Sequence, residues 1–266
     1  MLTQVQILRT AKPNQKNRYK KGTGIMRITK AMIYNKYGIN YNSKSQKIDT
    51  PCGLSRELLR KGNKKIGKHV YQWSMTTETC ACKCKDCYGE KGCYCFPSVK
   101  KTLATNTEIA MLHLDFFKRA IMAQCETLKD GTEIRIHVVG DFFAKAYVDT
   151  WREIIKKFPN LIFWTYTKTK YANAFDDLPN ANIVKSLVNG KLNFGKCEHV
   201  LALYDELTKA GKSVHICKCG VDENQHCEGC HKCSISEFVL FLEHSTAYKA
   251  EEDPLYKEFT DVVNNQ

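Results

Sequence analysis

The chain has 266 residues, 43% of them hydrophobic and 11% aromatic, enough to bury a large core, which excludes global disorder. Its formal net charge of +13 is uneven: the first 70 residues carry seventeen basic and two acidic side chains, a net of +15, and the rest carry 24 against 26, a net of −2. The opening "MLTQVQILRTAKPNQK" lacks an apolar run followed by a cleavage site, and "FVLFL" near Phe238 is too short to cross a bilayer, so a soluble intracellular protein is expected.

Residues 1–67 read as a basic N-terminal extension. Lysines and arginines interleaved with Tyr19, Tyr34, Tyr37 and Tyr41 suit a nucleic-acid backbone with rings to stack on bases. The alternative is a solvated arm without a specific partner. "KHVYQWSM" at Lys68–Met75 then predicts a strand that runs into a dense cysteine cluster. Thr105 and Glu108 form a capping box, and Ile109, Leu112, Phe116 and Ala120 recur at helical spacing to about Leu128. "EIRIHVV" alternates as a strand and is followed by "GDFF". Val148, Trp151, Ile154, Ile155 and Phe158 mark a helix, "LIFWTYTK" a strand, "HVLALYDELTKAG" a helix stopped at Gly211, and "SVHIC" a strand.

This alternation implies an α/β fold of parallel strands with right-handed crossovers, either a partial barrel or an open sheet. Functional groups then gather at the carboxyl ends of the strands, where the first cysteine cluster, Gly140, Asp141, Lys168 and Cys217 fall. The domain reading is 1–67 as the extension, 68–216 as the α/β body, and 217–266 as a cysteine-rich segment.

In a reducing compartment fourteen cysteines point to metal binding or catalysis rather than disulfides. Cys80, Cys84 and Cys87 follow C-x-x-x-C-x-x-C. Three thiolates on one short loop can hold three irons of a 4Fe–4S cluster and leave the fourth open. S-adenosylmethionine can chelate an open iron, and one electron can then cleave it to a deoxyadenosyl radical. Its amino group needs an acceptor at the next strand end, and Asp141 is so placed. By strand parity Ile134, Ile136 and Val138 face the helices, while Arg135, His137 and Val139 share the other face with Asp141. The plainer readings are a helix cap for Asp141, a buried pair for Arg135 and His137, and a zinc site drawn from a pool that includes Cys82, Cys93 and Cys95.

The second cluster, "HICKCGVDENQHCEGCHKC", offers Cys227, Cys230 and Cys233 with Cys217 or Cys219 as a fourth ligand. Four thiolates close a site, so it holds structural zinc or an auxiliary iron–sulfur cluster. His226 and His231 read as outer or solvent groups.

The stretches "CACKCKDCYGEKG", "RIHVVGDFF", "YVDTWREIIKKFPNLIFWTYTK", "HIC", "CEGCHKC" and "FVLFLEH", from about Tyr71 to His244, resemble the phage family called gene product eighty-eight. That family is itself similar to the radical S-adenosylmethionine proteins. The resemblance implies a partial (βα) barrel and an open 4Fe–4S cluster on Cys80, Cys84 and Cys87. It also implies contact of Gly140–Asp141 with the S-adenosylmethionine amino group, and a second cysteine-bound centre. An aromatic residue commonly precedes the third cysteine of such motifs; here Asp86 does, and Tyr88 follows. Tyr88 and Lys168 join Gly140 and Asp141 as candidate cofactor-binding residues. On this reading the protein works in the host cell cytoplasm, draws on an electron donor if catalytic, and acts on an unknown substrate, with nucleic acid a candidate. The alternative function is a non-catalytic metal-stabilised nucleic-acid binder or an electron-transfer protein.

Overall fold

The computed structural model describes residues 20–21, 24–25, 28–62, 66–81, 87–188, 191–218, 227, 230–243 and 249–266. The fold is mixed α/β. Helix α1 (Lys30–Lys36) begins at Thr29, whose hydroxyl accepts the Met32 N–H at 3.3 Å. Strands β1 (Tyr41–Asn42), β2 (Lys47–Asp49) and β3 (Ser55–Arg56) follow as an antiparallel meander. The main sheet has the order β8–β7–β6–β5–β4, where β4 is Arg60–Lys61, β5 Val70–Gln72, β6 Glu133–Arg135, β7 Ile162–Thr167 and β8 Ala181–Lys185. From β5 to β8 neighbours are parallel and run in chain order; β4 is an antiparallel edge.

Helices α2 (Pro97–Leu112), α3 (Leu114–Glu126) and α4 (Lys145–Lys157) cover one side. Trp73, Ile134, Ile136 and Phe163 from the sheet meet Phe117, Ala120, Tyr147 and Trp151 from the helices in one buried cluster. The single capped helix expected from Thr105 to Leu128 is corrected to two. Pro97, fixed near helical φ, opens α2 eight residues earlier. Thr105 caps nothing; its hydroxyl donates to the Lys101 carbonyl one turn back, at 3.0 Å. The run is broken at His113, whose φ of −130° and ψ of 45° leave the helix.

Residues expected to form a separate basic extension belong to this same core. Tyr34, Ile39, Ile48, Leu58 and Leu59 are buried in it. Gln124 on α3 accepts from the Leu59 N–H at 2.8 Å and donates to the Leu59 carbonyl at 2.6 Å, pairing with that backbone as a strand would. The boundary at residue 67 followed charge, and charge says little about where apolar side chains are buried. Residues 1–19, the far end of the basic region, lie outside the described residues.

A second parallel sheet has the order β9–β11–β10, with β9 Phe194–Gly195, β10 Val214–Ile216 and β11 Phe238–Leu242. It packs against α5 (Cys197–Lys209) and α6 (Tyr256–Asn264) through Val200, Leu203, Ile216, Leu240 and Phe259. The boundary expected at 216/217 cuts through this sheet, because β10 needs β11 as its ladder partner. Asn182 on β8 joins the two units, its amide donating to the carbonyls of Cys233 and Ser236 at 2.9 Å each. Among the described residues no helix is long and apolar enough to cross a membrane.

Candidate functional site

Carboxyl ends of β5, β6 and β7 converge on Asp141. Its backbone N–H donates to Thr79 Oγ1 at 3.1 Å. Its carboxylate accepts the Phe142 N–H at 2.8 Å and the Thr167 hydroxyl at 2.6 Å on Oδ1, and the Lys168 N–H at 3.0 Å on Oδ2. Asp141 therefore ties the end of β6 to the end of β7. It is not the cap of α4, which starts four residues on with Ala144 in the cap position. Burial pushes its carboxyl above the ordinary value, opposed by the three donors and by the Lys168 charge.

Gly140 beside it has a φ of +89°, and a Cβ there would meet Thr79 Oγ1 at 2.8 Å and Met75 Cβ at 3.0 Å. Only glycine fits this approach of the cysteine loop to the strand end. The loop returns at Tyr88, whose ring is largely exposed while its hydroxyl donates to the Val138 carbonyl. Burial of that hydroxyl end raises its pKa; the nearby Arg135 opposes this, and the Cys87 and Cys80 thiols add to it. Cys80 and Cys87 thus flank Tyr88 beside Gly140, Asp141 and Lys168. Cys84, the middle ligand of the expected trio, lies outside the described residues, as does Cys82. The described part fits a cluster on this loop: two half-buried cysteines are held against a strand end that ends in a carboxylate.

The parity expected along Glu133–Val139 holds through Ile136, which lies in the helix-side core, and fails at His137. Arg135 lies over the Trp164 and Tyr166 rings, at 5.2 and 5.7 Å. His137 is turned to the helices instead: its Nε2 is 3.0 Å from the Tyr147 hydroxyl, which also accepts from Trp73 Nε1 at 2.9 Å. Burial, then Arg135, push the His137 imidazole down to about 3.

Cys217, Cys227, Cys230 and Cys233 line one cavity of about 50 Å³ on the side of the sheet away from α2–α4, with Glu133 and Trp164 as its floor. Cys219 lies outside the described residues. His215 borders the same space, its buried Nε2 without a hydrogen-bond partner. Burial first, then the Cys233 and Cys217 thiols, push the Tyr166 hydroxyl well above its usual range. The four cysteines line one small space, but no three of their sulfurs lie within 4.8 Å of one another.

The family described as Gene product 88 matches residues 56–247, most of the chain. The chain belongs to this family. It is similar to the Gene 88 protein of Mycobacterium phage D29, 34% identical over 71 residues, which are 27% of this chain and 28% of the relative. The Gene 88 protein of Mycobacterium phage L5 is 37% identical over 51 residues, 19% and 21% of the two chains. The chain spans about a quarter of the length of the curated relatives it matches. No solved structure matches it.

Within this Gene product 88 chain, sequence reasoning reached Gly140, Asp141, Tyr88 and Lys168 but missed the groups that position them. Thr79 and Thr167 hold Asp141, and neither carries a motif. Thr79 had one signal, its place directly before the first cysteine. His69 and Glu133 were missed as well, and His231 was read as an outer group. They form a trio whose ligand atoms all lie within 4.8 Å of one another.

Proposed function

We propose that this family member is an iron–sulfur enzyme of radical S-adenosylmethionine type, built on a partial (βα) barrel. The observation that carries the reading is the seam between the cysteine loop and Asp141, made by Thr79 and Tyr88 at the carboxyl ends of parallel strands. Cys80, Cys84 and Cys87 would hold the cluster, which when bound supplies the electron for cleaving the carbon–sulfur bond of S-adenosylmethionine. An ionised carboxylate offers about four acceptor positions. Three of these on Asp141 are taken by the Phe142 and Lys168 N–H groups and the Thr167 hydroxyl, so one is left for the cofactor's amino group. Tyr88 closes the loop, and the Lys168 backbone fixes the carboxylate. Cys217, Cys227, Cys230 and Cys233 would hold a second centre, zinc or iron–sulfur. The +15 charge of the first 70 residues favours nucleic acid as partner or substrate.

The test is anaerobic reconstitution of the full chain with iron and sulfide, followed by titration with S-adenosylmethionine and measurement of deoxyadenosine after reduction. The reading expects a brown protein that binds the cofactor and releases deoxyadenosine. Cys84→Ala should abolish both and keep metal at the second cysteine group. A colourless, zinc-containing chain that ignores S-adenosylmethionine would make the cysteines structural and overturn the proposal.

A further inference from the structure

We propose that His69, Glu133 and His231 form a site for a divalent transition-metal cation such as zinc, with its own ligand set, on the wall of the cavity that the second cysteine group also lines. The three residues come from separate places: the turn before β5, the first residue of β6, and the cysteine-rich segment between Cys230 and Cys233. Their ligand atoms nevertheless lie within 4.8 Å of one another. The His69 and His231 rings are 5.0 Å apart, and His231 Nδ1 contacts Glu133 Oε1.

An ordinary ion pair accounts for only two of these groups. His69 Nε2 is buried and has no hydrogen-bond partner. A buried polar nitrogen without a partner is rare, and here it belongs to a trio of metal-ligating side chains. Glu133 is 4% exposed, and its second oxygen accepts the Trp164 indole N–H at 2.9 Å. That is the outer support ligating carboxylates characteristically have, since it fixes which oxygen faces the metal.

Two imidazoles and a carboxylate suit zinc and its first-row neighbours, whereas calcium and magnesium take mostly oxygen ligands. Three protein ligands leave a coordination position for water. The His231 side chain, 45% exposed, gives the ion a way in. A second trio, Cys52, Glu108 and His113, is as close-set, but there the Cys52 thiol is already hydrogen-bonded to an exposed Glu108.

Cobalt(II) is the probe, titrated into the full chain and followed by absorption and metal content. Thiolate-bound cobalt gives intense charge-transfer absorption in the near ultraviolet; cobalt held by imidazole and carboxylate does not. The site predicts one equivalent without the thiolate signature. His69→Ala should weaken that equivalent by more than the ~10–100-fold that loss of an outer partner costs, and leave the thiolate absorption unchanged. Should His69→Ala not fold, His231→Ala makes the same test at a more exposed position. Wild-type protein that takes up only thiolate-bound cobalt, or variants that bind as the wild type does, would reduce the trio to an ion pair beside a histidine and overturn the proposal. Failure of the cysteine centres to take iron would leave this site standing.

Discussion

Toward the helices the main sheet presents Trp73, Ile134, Ile136 and Phe163, answered by Phe117, Tyr147 and Trp151, all essentially inaccessible to water. Away from them the same strands present Glu133, Arg135, Trp164 and Tyr166 to the cysteine-rich segment. The first face is held by area: apolar surface leaves water, and any well-fitting neighbour serves. On the second, every polar atom needs its own partner, supplied from a distance by Trp164 for Glu133 and by the Trp164 and Tyr166 rings for Arg135. One side of the sheet is held by apolar area, and the other by specific polar partners.

The comparison breaks most readily on the helix face. Phe117 contacts the rings of Trp73, Tyr147 and Trp151, with centroids 5.0 to 5.5 Å away. Phe117→Ala should cost about 3–5 kcal/mol of stability in urea denaturation. A loss under about 1 kcal/mol would mean that this face is not what holds the fold.

Trp164→Phe probes the opposite face by removing one N–H and keeping an aromatic ring. Taking a donor from the buried Glu133 carboxylate should cost about 1.5–3 kcal/mol, the range for hydrogen bonds to charged groups. A change within about 0.5 kcal/mol, ordinary for a surface substitution, would show that Glu133 does not depend on Trp164.

The smallest effect is a pH slope. His137 titrates near 3 when folded and near 6.5 in an unfolded chain, so between these values the unfolded state binds the extra proton. Stability should therefore fall as pH drops below about 6.5, by up to about 1.4 kcal/mol per pH unit. His215, lowered to about 4 by burial and by Lys232 and Lys218, acts in the same direction. Asp141, raised by burial, acts in the opposite one. Denaturation of His137→Gln between pH 6.5 and 5 should give a shallower slope than wild type; an unchanged slope would remove His137 from the account.

Period alone made α4 and α5 legible. Val148, Trp151, Ile154 and Ile155 share one helical stripe, and that stripe is the buried one. Strand β7 and the Gly211 stop of α5 were equally readable, the glycine having a φ of +71°. The two cysteine groups and the Gly140–Asp141 turn could also be picked out, because residue type and short spacing mark them in the sequence. Other features could not be read this way. A two-residue alternation predicts faces only while it is unbroken, and here Ile136 and His137 both turn to the helices although backbone pairing runs on to Val139. Charge drew domain boundaries that burial ignored at Tyr34, Leu58 and Leu59. His231 and Glu133 stand 98 residues apart, with His69 further back in the chain. No spacing rule connects such residues; their meeting is decided by the pairing of β5 with β6 and by the Asn182 amide that holds the cysteine-rich segment to β8.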